Sequence, residues 1–296
     1  MTQQHKASLL PQKQGKLEVS TRLTPTPRGT QALVKVTAAA VNPADWKIIE
    51  TGLFLETYPA VLGYDGAGII HAVGPEVTNF KVGDRVIFQG TLDYDYTAYQ
   101  EYALVDTELI AKAPSNVNDD QASTFPTGAF TAYAGLSENR NRHPGERPNC
   151  QRQVVLILGG SSSVGQFAIQ FARIAGFSTI ATTASSSIPN SSSRLALPMF
   201  STVTPMPRLS GLLFPPSWTR EKNAGDKIAV HNVFGFSDKF RDLSVPFWQN
   251  LASGLKEELV PNRVQLVNGG LAGVPDALEL SRKGVSGVKL VIRPQE

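Results

Sequence analysis

The stretch QVVLILGGSSSVGQFAIQFARIAGFSTIATT, residues 153–183, constrains the fold more than any other part of the chain. QVVLIL, from Gln153 to Leu158, is an apolar and β-branched run that predicts a fully buried strand. GGSSSVG follows, then the amphipathic run VGQFAIQFARIAG, then a second β run, FSTIATT. Strand, glycine-bearing turn, helix and strand make one βαβ unit, and such units build parallel sheets. Gly159, Gly160 and Gly165 permit a tight turn, and the helix start across Gly160, Ser161, Ser162, Ser163, Val164 and Gly165 can present N–H groups to a pyrophosphate. The spacing is not a strict G-x-G-x-x-G, so the strand–turn–helix–strand context carries this reading. Its alternative is a tight βα connection in a sheet that holds no cofactor.

Charge near the second strand discriminates between dinucleotides. An NAD site usually places Asp or Glu about 20 residues after the fingerprint, where it accepts hydrogen bonds from the ribose. No Asp or Glu occurs between Arg147 and Arg220, so nothing there repels a 2′-phosphate. Thr182, Thr183, Ser185 and Ser186 can hydrogen-bond one, and the expected cofactor is NADPH.

The rest of the chain sets the context. Its 296 residues, 41% of them hydrophobic, are enough for two ordinary cores. A net charge of +3 without a dense Lys/Arg stripe argues against nucleic-acid binding. No apolar run reaches the roughly 18 residues that cross a bilayer, and the polar start MTQQHKASLL has no apolar h-region, so a cytoplasmic protein off the membrane is expected. The single cysteine, Cys150, rules out an internal disulfide and a multi-cysteine zinc site.

Three regimes follow one another along the chain. From Lys16 to about Pro114, QALVKVTAAAVN, AGIIHAVG, DRVIFQG and YQEYALVD are short β runs separated by Gly, Pro, Asn and Asp, as in a small barrel or sandwich. The βαβ unit comes next. From Ser185 to Arg220 the chain is rich in Ser and Pro, with prolines at 189, 198, 205, 207, 215 and 216 and neither a 3.6 nor a 2.0 period, which predicts a loop or disorder. Its composition resembles out-of-frame or intronic sequence. Pattern resumes with DKIAVHNVFGF, a helix through FWQNLASGLKEEL, a strand VQLV, a helix in PDALELSRKG and a last strand VKLVIRP.

AAAVNPADWK, YPAVLGYDGAGIIHAVGPEV, FKVGDRV, FPTGAFTAYAGL, ILGGSSSVGQFAIQFARIAG and GLAGVPDALELSRKGVSGVKLVIRP together resemble the medium-chain dehydrogenase/reductase superfamily. They look most like its zinc-free enoyl reductases, in particular the fungal trans-acting ones that serve polyketide synthases, and its quinone oxidoreductases. The resemblance implies an α/β plus β architecture: a GroES-like β-barrel catalytic domain with an inserted, shortened and incomplete Rossmann domain. In this numbering the expectation is GroES-like 1–126, Rossmann-like 127–255 with 185–220 irregular, and a return to the GroES-like domain over 256–296.

The resemblance also implies a site. Where zinc enzymes of the superfamily place their catalytic ligands, this chain has Asn42, Tyr64 and Thr127, none a good zinc ligand, so no metal is expected. Asn42, Asp45, Trp46, Lys47 and Ile48 match the segment beside the nicotinamide, with Lys47 the favoured catalytic contact and Tyr64 the other candidate, against packing for Tyr64 and a solvated loop pair for Asp45 and Lys47. Thr124, Phe125, Pro126, Thr127, Gly128, Ala129, Phe130 and Thr131 match the segment that lines substrate and nicotinamide; Thr127 and Thr131 could instead cap a helix. Thr131, Thr183, Ser185, Val285 and Ser286 complete the expected cofactor contacts, and the aromatic pair Phe234 and Phe236 looks like a substrate-side loop. The implied reaction moves hydride from NADPH to an unsaturated carbonyl or quinone, as a small molecule or on a polyketide synthase, by a monomer or homodimer. The alternative is a catalytically impaired or non-catalytic relative with a damaged cofactor domain.

Overall fold

A computed structural model describes residues 3–138, 154–184, 235–252 and 259–296. The chain divides into two units, Met1–Phe130 with Phe236–Glu296, and Thr131–Gly235. The Ser/Pro-rich stretch 185–220, DKIAVHNVF and most of the segment GLKEEL lie outside the described residues.

The first unit is a β structure with helices at its margins. Strand β3 (Gln31–Ala40) is its centre. One edge of β3 pairs antiparallel with β5 (Asp65–Val73). The other edge is shared: residues 31–35 pair with β7 (Tyr102–Asp106), while Ala39 and Ala40 pair with β12 (Lys289–Ile292). The sheet continues from β5 to β6 (Arg85–Gln89) and β8 (Ile110–Lys112), and from β12 to β11 (Val264–Leu266). A smaller sheet orders β2 (Glu18–Leu23), β1 (Gln4–Leu10) and β4 (Ala60–Val61). Pairing of β12 with β3 joins the C-terminal tail to residues some 250 positions earlier, so this unit closes only when the chain returns.

Small residues allow that closure. Ala38, Ala39 and Ala40 are fully buried where β3 meets β12, and Gly66 lies flat against the Phe88 ring, where an added Cβ would come within 2.2 Å. The core below gathers Leu10, Val34, Val36, Leu62, Ile70, Phe88, Tyr99, Leu290 and Ile292. Fully burying an aliphatic or aromatic side chain contributes about 1.5–3 kcal/mol, and this cluster supplies the bulk of the unit's stabilisation.

Five helices lie wholly or partly in this unit. Helix α1 (Pro43–Thr51) starts with Pro at its first position, where the missing N–H costs nothing, and ends at Gly52 in the left-handed region. The short α2 (Asp119–Ala122) precedes α3 (Pro126–Glu138), and the division between units falls inside α3. Near the C-terminus, α5 (Arg241–Asn250) and α6 (Val274–Lys283) flank β11. Helix α5 starts ahead of the FWQNLASGLKEEL pattern, because RDLS carries the chain in before the apolar residues begin.

In the second unit, β9 (Val154–Ile157) pairs parallel with β10 (Thr179–Thr182), and α4 (Ser163–Ile174) connects them. This is the βαβ unit that the glycine turn and its flanks predict. Burial differs from the expectation. Val155 and Ile157 pack with Ile169, Ala172 and Ile180, but Val154, Leu156 and Leu158 are 68%, 62% and 64% exposed. Strand β9 is therefore covered on one face only among the described residues, since α4 supplies a single apolar stripe and continuous hydrophobicity does not report which faces find partners.

Candidate functional site

The opening of α1 and the start of β5 converge on one buried polar cluster. Asp65 is the first residue of β5, in register with Ala40 of β3 and Gln89 of β6, so the pairing of the sheet rather than a turn holds it. It has no exposure. Its Oδ1 accepts the backbone N–H of Thr127 at 2.7 Å, in the first turn of α3. Its Oδ2 accepts the Asn42 amide at 2.9 Å and the Lys289 ammonium at 2.9 Å. Lys289 also donates to Asn42 Oδ1 at 2.6 Å. A buried carboxylate and a buried ammonium are each costly alone, and here they are paired and hydrogen-bonded.

Asp45 lies one layer away and is also without exposure. Its Oδ2 accepts the Asn42 backbone N–H at 2.8 Å, the acidic half of a capping box on α1, and the Tyr99 hydroxyl at 2.5 Å. Its Oδ1 is buried and has no hydrogen-bond partner among the described residues. Burial is the main force raising its carboxyl to a pKa of about 7; the Tyr99 and Asn42 hydrogen bonds oppose the rise, Asp65 adds to it and Lys289 counters it. Tyr99 is itself pinned. Gly63, at φ 100°, lies so close that a Cβ would be 2.7 Å from the tyrosine ring.

Tyr64 is buried, with its ring edge-on to Phe236 at 5.2 Å. Burial first, then the charges of Asp45, Tyr94 and Asp238, push its phenol well above the ordinary tyrosine range. It can donate a hydrogen bond at any physiological pH but is a poor proton source. Thr127 Oγ1 accepts from Gln89 Nε2 at 2.9 Å, and Gln89 Oε1 accepts the Ser237 N–H at 2.7 Å. On α1, Lys47 Nζ lies 5.4 Å from the Trp46 ring centroid, so Asp45 and Lys47 are not a solvated loop pair: one is buried and the other stacks on an aromatic face. Ile48 is buried in the core.

The other expected residues are more dispersed. Thr124, Phe125, Ala129 and Phe130 are buried, with Phe130 edge-on to Phe247 at 5.4 Å and Thr124 Oγ1 accepting the Asn262 N–H at 3.2 Å. Pro126 and Gly128 are buried too, which leaves Thr127 as the half-buried residue of 124–130. Val285 and Ser286 are exposed in the loop after α6.

In the second unit, the turn opening α4 is packed closely against the end of β10. A Cβ at Gly165 would stand 2.3 Å from the Gly159 carbonyl oxygen, and one at Gly160 would stand 2.0 Å from Thr182 Oγ1. Gly159 adopts φ 73°. Ser162 caps the helix, its Oγ accepting the Gly165 N–H at 3.0 Å. Thr183 braces the turn from β10: its Oγ1 accepts the Gly159 N–H at 3.0 Å and its carbonyl accepts the Gly160 N–H at 2.9 Å. Ser161 and Ser163 are half-buried and Val164 is exposed at the helix start. Thr131 faces Gly235, whose Cβ would come within 2.3 Å of the threonine hydroxyl. Ser185, Ser186 and Phe234 lie outside the described residues.

Among the described residues no three His, Cys, Asp or Glu side chains gather as a metal site, and no helix is long and apolar enough to cross a membrane. Asn42 donates one amide N–H to Asp65 and accepts from Lys289 on Oδ1, while Thr127 donates its backbone N–H to Asp65 and accepts from Gln89 on Oγ1. Sequence reasoning missed Tyr99, Gln89 and Lys289. A lone lysine inside the apolar strand VKLVI was a usable signal for Lys289, because a strand buried on both faces leaves such a side chain no route to water.

Residues 28–115 match the alcohol dehydrogenase GroES-like domain. The chain is 36% identical over 196 residues to trans-enoyl reductase tazE of Aspergillus terreus, covering 62% of this chain and 63% of that one. It is 29% identical to trans-enoyl reductase tndF of Aspergillus flavipes, across 99% of each. The quinone oxidoreductase of Coxiella burnetii has the same fold, with a TM-score of 0.71 at 23% identity over 98% of this chain and 99% of that one. These matches identify an alcohol dehydrogenase GroES-like domain at residues 28–115 and support placing the chain in the medium-chain dehydrogenase/reductase superfamily.

Proposed function

We propose that the chain is an NADPH-dependent, zinc-independent oxidoreductase that reduces an activated carbon–carbon double bond, of the enoyl reductase type, on a small unsaturated carbonyl that a polyketide synthase can carry. The observation that supports this most is the turn opening α4, where Gly160 and Gly165 leave no room for a Cβ and no acidic residue occurs between 154 and 184. Bound NADPH would supply hydride from nicotinamide C4 to the β-carbon of the substrate.

The chain's own residues then have three tasks. The α4 turn, braced by Thr183, would receive the pyrophosphate. The opening of α1, with Asn42 and Lys47, would face the nicotinamide end. Lys47 would stabilise the negative charge that develops on the substrate oxygen, with Tyr64 as a second hydrogen-bond donor that stays protonated. Zinc is not needed in this scheme, since ammonium and hydroxyl donors take over the polarising role, and the Lys289 ammonium already bonds the Asn42 oxygen.

A second reading, a non-catalytic relative, is favoured by one observation: the apolar face of β9 at Val154, Leu156 and Leu158 is bare among the described residues. Titration with NADPH, followed by nicotinamide fluorescence, separates the two. Saturable enhancement at submillimolar cofactor supports the reductase, and a flat titration supports the non-catalytic relative.

A further inference from the structure

Lys289 has two partners, and the shorter contact is with the neutral one: 2.6 Å to Asn42 Oδ1 against 2.9 Å to Asp65 Oδ2. Neutralising Asp65 accounts for the second contact but not for the first. Asn42 donates one amide N–H to Asp65 and receives the ammonium on its oxygen, so both ends of its amide are fixed. A flipped amide would set NH2 against the ammonium and oxygen against the carboxylate. A cation on an amide oxygen also draws electron density from the nitrogen, which makes the N–H groups stronger donors. One of the two amide N–H groups goes to Asp65, and the second has no partner among the described residues. Asn42 directly precedes α1, the helix that carries Trp46 and Lys47.

We propose that Lys289 is a positioning residue for hydride transfer: it orients and polarises the Asn42 amide, whose second N–H is offered to the nicotinamide end of the cofactor. This rests on the NADPH reading of the α1 opening. Such a role predicts an effect on the rate of transfer rather than on the affinity for NADPH.

The test is a double-mutant cycle between Lys289→Met and Asn42→Ala, read by nicotinamide fluorescence of bound NADPH, by kcat and by thermal unfolding. Asn42→Ala keeps the Lys289–Asp65 ion pair and so separates the positioning role from the structural one. It is expected to lower kcat at least tenfold, to change the NADPH Kd no more than about threefold, and to alter the emission of the bound nicotinamide. Wild-type kcat in a folded Asn42→Ala overturns the proposal, whether or not Lys289→Met folds. Where Lys289→Met folds, the double variant should turn over no more slowly than the slower single variant; additive losses would show that Lys289 acts by another route and would also overturn the proposal. Absence of NADPH binding in the wild-type chain would instead sink the cofactor reading on which this role rests.

Discussion

Asp45→Asn should stabilise the protein, and increasingly so as the pH rises. In the folded chain the Asp45 carboxyl is surrounded by Tyr99, Asp65, Lys289 and Tyr64 and has no contact with water. Its pKa rises from 3.8 to about 7, chiefly through burial. The folded state thus holds its proton where the unfolded state has released it. The group's contribution to stability is complete below pH 3.8 and is lost progressively as the pH climbs through about 7. At about 1.36 kcal/mol per pKa unit, the loss reaches about 4 kcal/mol above neutrality. Asparagine reproduces the protonated acid: its oxygen can accept from Tyr99 and from the Asn42 N–H, while its NH2 takes the place of the oxygen that has no partner. Urea unfolding monitored by tryptophan fluorescence from pH 4 to 8.5 should give matching stabilities at the acid end, then a gap opening to about 4 kcal/mol in favour of Asp45→Asn. Parallel pH–stability curves, or a variant less stable than wild type at pH 8, would refute the reasoning that Asp45 is the ionisation this core resists.

Three further outcomes follow from local geometry. Gly165→Ala puts a methyl 2.3 Å from the Gly159 carbonyl oxygen, so NADPH affinity by fluorescence titration should fall at least about tenfold, or roughly 1.4 kcal/mol. His5 is buried, with Nδ1 near Thr24 Oγ1 and Nε2 near Gln100 Oε1, and burial lowers its pKa below 6.5. The neutral ring is the folded form, so its share of stability is present above 6.5 and is lost as the pH falls through the lowered folded value; NMR titration of the His5 ring should give a midpoint below 6.5. Lys47→Ala should cut kcat while far-UV circular dichroism and thermal unfolding stay unchanged, and unaltered turnover would remove Lys47 from the mechanism.

Local pattern carried much of this in the sequence. The βαβ unit was legible because GGSSSVG lies between an apolar run and an amphipathic one, and each element has its own period. The cluster around Asp65 was not, because Asn42, Asp65, Thr127 and Lys289 meet only after β12 pairs with β3. Nor was the exposed face of β9, since hydrophobicity along a strand states what could be buried and a neighbouring helix decides what is. Asp45 illustrates both limits. The sequence left it as a contact beside the nicotinamide or half of a solvated loop pair, but its partner Tyr99 is 54 residues away and its ionisation depends on burial that no local window reveals.

The most direct test of the central claim is the fate of the hydride. The purified chain, treated with a chelator, is given NADPH carrying deuterium at both C4 positions of the nicotinamide and a simple α,β-unsaturated carbonyl, and the reduced product is analysed by mass spectrometry and NMR. The account predicts one deuterium at the β-carbon and a rate unaffected by the chelator. A product without deuterium, or turnover that disappears with chelation and returns with zinc, would contradict it.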